Sequence, residues 1–168
     1  MTAQQDRHYF LLATKADYHF LQEMLFEAAY WRADVEKPPV DVGLARPDVA
    51  RVLEDWGRPG DVAVVAHAPD DQLIGAAWFR FWTAEVHSYG FVDPETPELG
   101  IAVSQGHRRR GVGTGLLQAL LAHARLQGIR QVSLSVERDN PARTLYEKLG
   151  FQEVGIVEGS WTMAIRLD

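Results

Sequence analysis

No cysteine occurs anywhere in the chain. Its absence excludes a disulfide scaffold, a thiolate zinc site and a cysteine nucleophile together. Long apolar runs are missing too: no stretch approaches membrane-spanning length, and the opening Met-Thr-Ala-Gln-Gln-Asp-Arg holds no apolar leader core. A soluble, cytoplasmic protein is the expectation. Positive charge is in short supply, since 17 Lys and Arg against 23 Asp and Glu leave a net charge of −6. A broad face for a phosphate backbone needs the opposite balance, so nucleic acid is not an expected partner, nor is a membrane. No carboxylate–histidine spacing suggests a metal site.

What is present reads as one α/β domain over 1–168, large enough to bury a substantial core, with 46% apolar and 24% charged residues. A short strand at 8–12 precedes Thr14-Lys-Ala-Asp17, which has the spacing of a capping box. From Ala16 to about Arg32, apolar Leu21, Met24, Leu25, Ala28 and Trp31 recur at helical intervals. Residues 34–47 carry three prolines and read as loop. Pro47 then opens a helix with a stripe of Val49, Val52, Leu53 and Trp56, stopped by Gly57. The runs 61–67 and 72–82 suggest a hairpin, and 83–97 is a long aromatic and acidic connection of the kind that forms lids or binding loops. A strand at 98–104 follows, then a helix at 113–127 ended by Gly128 and a strand at 130–136. Another helix is capped by Asn140, begins at Pro141 and closes at Gly150, before two last strands at 151–157 and 161–167.

The most informative stretch is Val103-Ser-Gln-Gly-His-Arg-Arg-Arg-Gly-Val-Gly-Thr-Gly-Leu-Leu117. A strand, a glycine-rich turn and a helix N-terminus in that order make an anion site, because backbone N–H groups approach a phosphate closely and the helix dipole adds positive potential. It lacks the Gly-Lys-Ser/Thr of a nucleotide P-loop, and glycines at 111, 113 and 115 do not have the dinucleotide spacing. Three consecutive arginines must diverge, so one or two of them face solvent.

This segment resembles motif A of the GNAT N-acetyltransferases, Gln/Arg-x-x-Gly-x-Gly/Ala, with Arg108, Gly111 and Gly113 at the motif positions. Asn140-Pro-Ala-Arg-Thr-Leu-Tyr-Glu-Lys-Leu-Gly-Phe151 resembles the family's Asn-x-x-Ala-x-x-Leu-Tyr-x-x-x-Gly-Phe signature, with Arg143 where a small residue is usual. Glu98-Leu-Gly-Ile-Ala-Val103 is similar to its fourth strand, and the order of elements agrees along essentially the whole chain. The resemblance implies a single-domain acyl-CoA N-acyltransferase fold, a mixed and mostly antiparallel sheet flanked by about four helices. It implies acetyl-CoA as cofactor. The pyrophosphate would lie on the backbone of Arg109, Arg110, Gly111, Val112, Gly113, Thr114 and Gly115, with charge from Arg108, Arg109 and Arg110. The pantetheine arm would run beside Ile101, Ala102 and Val103 and meet Asn140.

The same resemblance assigns Tyr146 as general acid to the departing thiolate. A phenol with an ordinary pKa near 10 stays protonated and can donate. A backbone N–H near Val103 could polarise the carbonyl. Glu98 is the provisional base, with Glu85 and His87 as competitors. Tyr30, Trp31, Trp78, Trp82, Glu85, Tyr89 and Phe91 border the acceptor side, which suggests a cationic small amine on an aromatic surface. Trp161 and Met163 could support a homodimer. The expected activity is direct acetyl transfer from acetyl-CoA to a primary amine of a small molecule. A protein amine as acceptor, a longer acyl group, or a non-catalytic acyl-CoA-binding domain are the alternatives.

Overall fold

A computed structural model describes residues 7–168. The polar residues before them, read above as holding no leader, lie outside the described residues. The strands are β1 (Tyr9–Leu12), β2 (Val62–His67), β3 (Leu73–Arg80), β4 (Glu98–Val103), β5 (Gln131–Glu137), β6 (Gln152–Val157) and β7 (Ser160–Arg166). The helices are α1 (Tyr18–Ala29), α2 (Val40–Ala45), α3 (Pro47–Ala50), α4 (Val112–Leu126) and α5 (Ala142–Leu149). Hydrogen bonding orders the strands β1-β2-β3-β4-β5-β7-β6. β1 and β2 are antiparallel, as are β5 with β7 and β6 with β7, whereas β4 meets β5 in parallel. The sheet is therefore mixed and mostly antiparallel, as expected. Among the described residues no helix is long and apolar enough to cross a membrane.

Two expectations need correction. The proline-containing stretch 34–47 is not all loop, because α2 occupies its second half. Gly43 lets it pack there: a Cβ at that position would come within 2.8 Å of Phe26 and 2.9 Å of Tyr30. The helix expected from Pro47 to Trp56 is a single α-turn. Val52, Leu53 and Trp56 continue it only through short i→i−3 bonds, and Asp55 turns left-handed at φ +50. The apolar stripe survives the loss of regularity, with Val49 and Leu53 buried. Burial rewards the position of these side chains, not the hydrogen-bond pattern that carries them.

Backbone proximity divides the chain into two compact units, 1–78 with 100–120 and 79–99 with 121–168. In the first, Leu21, Met24 and Leu25 of α1 pack with Val49, Leu53, Ala63, Val65, Ala76, Trp78 and Ala102. The capping box is formed as expected. Thr14 and Asp17 exchange side-chain bonds with backbone N–H groups, and the 3₁₀ turn they cap leads into α1. In the second unit, β5, β7 and β6 form an antiparallel ladder in which Val132, Leu134, Val136 and Met163 are buried. Met163 is 1% exposed and belongs to this core, so it offers no surface to a second copy. Gly150 ends α5 at φ +106, where its N–H caps the last turn and sends the chain into β6.

Candidate active site

In the first unit, the turn after β4 is shaped by its glycines and tied down by one arginine. Gly111 sits at φ +81 with nothing within 4 Å of a Cβ built on it, so backbone conformation alone requires glycine there. Arg109 is also left-handed, at φ +63, which is uncommon for a residue with a side chain. Arg108, although exposed, is tied down. Its Nε donates to the carbonyl of Val103 at 3.0 Å, and its Nη2 donates to Glu27 of α1 at 3.3 Å. Lys37 shares that carboxylate at 3.7 Å. Arg109 and Arg110 are exposed and have no ion-pair partner among the described residues. The run of three thus separates into one anchor and two free cations.

Gly115 has a different reason to be glycine. A Cβ there would overlap the Phe10 ring of β1, and its N–H is already bonded to the Gly111 carbonyl at 3.1 Å. That N–H is spent inside α4, so Gly115 serves packing and does not extend the anion cradle. Gly100 in β4 is likewise a packing glycine, since a Cβ would meet the Trp78 indole at 2.7 Å. Trp78 is accordingly 2% exposed and part of the core. Tyr30 donates to the Gly43 carbonyl at 3.1 Å, which occupies its hydroxyl in holding α2, and its ring lies tilted against Phe26. Trp31 carries Arg32 over its ring at 4.6 Å.

The second unit holds the acid and base candidates. Tyr146 is the buried residue of α5, 7% exposed, with its ring edge-on to Phe151 at 5.9 Å. Burial pushes its hydroxyl above the ordinary tyrosine value. Asn140 precedes α5, and its Oδ1 accepts from the Ala142 N–H at 2.9 Å. The N-cap falls on Pro141, one residue later than expected, and the Asn140 bond leaves its amide NH₂ for a ligand. Asn140 stands six residues before Tyr146, one fewer than in the family pattern quoted above. Its carry-over therefore rests on its place just ahead of α5. Arg143 is bound to Glu147 at 2.7 Å and lies over Trp161 at 4.7 Å, so its side chain braces α5.

Glu98 is held in an unusual way. The Gly90 N–H donates to its Oε2 at 2.7 Å, while Oε1 is enclosed and has no hydrogen-bond partner among the described residues. Burial is the largest influence and pushes the carboxyl up to about 7, against smaller opposing effects of the Gly90 N–H, the Trp82 indole and the charge of His87. The residue as a whole is half-buried; its desolvation is concentrated on the carboxylate. Trp82, 5% exposed, belongs to this setting more than to an open acceptor surface. His87 stacks on Phe91 at 4.5 Å, and its Nδ1 meets the Ser88 carbonyl at 2.8 Å. Glu85 and Tyr89 are exposed. Gly90 is not among the site residues expected from the sequence. Its one signal was being a glycine in the middle of a long aromatic loop. No cluster of His, Asp and Glu among the described residues could hold a metal.

Comparison with known proteins gives a consistent picture. Residues 22–151 match the model of the acetyltransferase (GNAT) family. A mycothiol acetyltransferase of Corynebacterium glutamicum (strain R) is 36% identical over 99 residues, 58% of this chain and 30% of the relative. The L-methionine sulfoximine/L-methionine sulfone acetyltransferase of Pseudomonas paraeruginosa is 31% identical over 111 residues, 62% of each chain. The chain spans about a third of the length of the curated mycothiol acetyltransferases it matches. Among solved structures, the PaiA N-acetyltransferase of Thermoplasma acidophilum in complex with coenzyme A superposes with a TM-score of 0.70 at 16% identity, covering 95% of this chain and 99% of that one.

Proposed function

The chain belongs to the GNAT acetyltransferase family, and on that premise we propose that it moves an acetyl group from acetyl-CoA directly to a primary amine of a small molecule, in the cytoplasm. The relatives named for mycothiol and for methionine sulfoximine support a small acceptor. The observation that carries the reaction is Glu98, a carboxylate with one oxygen anchored and the other enclosed and unpartnered.

The residues present fit the cofactor. Arg109 and Arg110 are exposed cations beside a left-handed turn, and α4 begins immediately after it. Charge-assisted bonds from both arginines and backbone N–H groups of 109–114 would hold the pyrophosphate. The side chain of Arg108 keeps the turn in place from behind. Bound acetyl-CoA supplies an activated acyl group as a thioester. A neutral amine is the nucleophile, and Oε1 of Glu98 accepts the proton it sheds. A base whose pKa lies near the operating pH is well matched to that task. Tyr146, kept neutral by burial, donates a hydrogen bond as negative charge builds on the departing sulfur. Because its acidity is weaker than that of a thiol, hydrogen-bond donation at the sulfur is its main contribution.

The reading is tested by release of free CoA from acetyl-CoA across a panel of amines, amino acids and peptides. Turnover with small amines and none with peptides is expected. Turnover confined to peptide N-termini or lysines would replace the acceptor class, and binding without any turnover would replace the enzyme.

A further inference from the structure

Ser133 of β5 fastens the connection from 83 to 97 by two different groups, beside a longer bond from the Gln131 amide to the Thr96 hydroxyl at 3.4 Å. The Ser133 N–H donates to the Pro97 carbonyl at 3.0 Å, and its Oγ donates to the Gly90 carbonyl at 2.7 Å. Ser133 is completely buried and stands opposite Glu98 in the parallel register of β4 and β5. Gly90 therefore bridges two facing residues. Its carbonyl is held by Ser133, and its N–H holds Oε2 of Glu98. Glycine is required for this approach for reasons of space. A Cβ at position 90 would come within 2.5 Å of Oε2, 2.7 Å of the Leu134 carbonyl carbon and 2.8 Å of the Ser135 nitrogen.

We propose that Gly90 and Ser133 are positioning residues for the base: Ser133 fixes the Gly90 peptide, and the Gly90 N–H turns Glu98 so that Oε1 is the oxygen presented to the amine. The inference rests on the reading of Glu98 as base. A carboxylate free to rotate would exchange its two oxygens and draw water to both. Pinning Oε2 removes that freedom, and the loop carrying Gly90 excludes solvent at the same time. The other groups acting on the carboxylate are the Trp82 indole and His87, and both belong to the same loop region. Ser133 thus holds in place the segment that carries these three groups.

The test is carbon NMR of protein labelled at its glutamate side-chain carboxyls, with the Glu98 signal assigned by its loss in Glu98→Gln. In the wild type this signal is expected to titrate near 7. Ser133→Ala leaves the Gly90 carbonyl without its donor, loosens the loop and admits water. Since burial outweighs the hydrogen bonds in setting the wild-type value, the Glu98 midpoint is expected to fall by about one pH unit or more toward the ordinary carboxylate range. Gly90→Ala, which must displace Oε2, is expected to move it in the same direction. Unchanged midpoints in both folded variants overturn the proposal, because a purely structural serine would lower the melting temperature without moving this signal. The base reading fails separately: it falls if Glu98→Gln keeps wild-type turnover, whatever the NMR titration shows.

Discussion

The Phe10 ring in β1 fills the space that a side chain on Gly115 in α4 would need. Sequence spacing alone groups Gly115 with Gly111 and Gly113 as one phosphate motif, whereas this contact gives it a different task. Gly115→Ala is expected to lower stability by about 1–3 kcal/mol through overpacking. Phe10→Ala in the same chain should recover part of that loss, because the two positions share one volume. Chemical denaturation of both variants measures it, and independent, additive effects would show that the contact is not limiting.

Gly111→Ala makes the complementary measurement. Space is open at that position, but φ +81 costs a residue with a Cβ roughly 1 kcal/mol. Calorimetric titration should show acetyl-CoA binding weakened several-fold in this variant, with a thermal stability little changed. Equal affinity would mean the turn does not hold the pyrophosphate.

Glu98 makes stability depend on pH with a definite sign. Its folded value is about 7 against an ordinary 4.5. Below 4.5 both folded and unfolded chains carry the proton, and nothing is lost. Between 4.5 and 7 the unfolded chain releases its proton first, so stability falls as pH rises. Above 7 the loss levels off at about 3 kcal/mol at most. Glu98→Gln should therefore unfold at a higher temperature than wild type at pH 8, and the advantage should shrink as pH approaches 5. An advantage that does not vary with pH would show that the buried charge is not its source.

Tyr146→Phe keeps the buried ring against Phe151 and removes only the hydroxyl. Turnover is expected to drop roughly 100-fold, with acetyl-CoA affinity within a factor of about two and near-native stability. A kcat equal to wild type would remove the hydroxyl from the reaction.

Much of this was legible in the chain because the signals are local. The capping pair Thr14 and Asp17 and the αL glycine at 150 act on neighbours within a few residues, so spacing predicts them. Gly111 belongs with these, since its need for positive φ arises within its own turn. The order of strands, and of the helices apart from α2, followed from period and punctuation in the same way.

What the amino-acid sequence by itself determined is the family, the order of elements apart from α2, and the glycine-rich turn between β4 and α4. Tertiary structure alone decided which glycine serves backbone freedom and which serves packing, and which of the three arginines is an anchor. It also made a strand-end glutamate into a base candidate with one oxygen held and one bare. The physical reason is distance along the chain. Glu98 owes its proton affinity to burial, which outweighs the opposing pull of Gly90, Trp82 and His87, all carried by a segment that Ser133 fastens from 35 residues further on. Desolvation depends on how completely those segments close around the carboxylate, and residue spacing cannot display that.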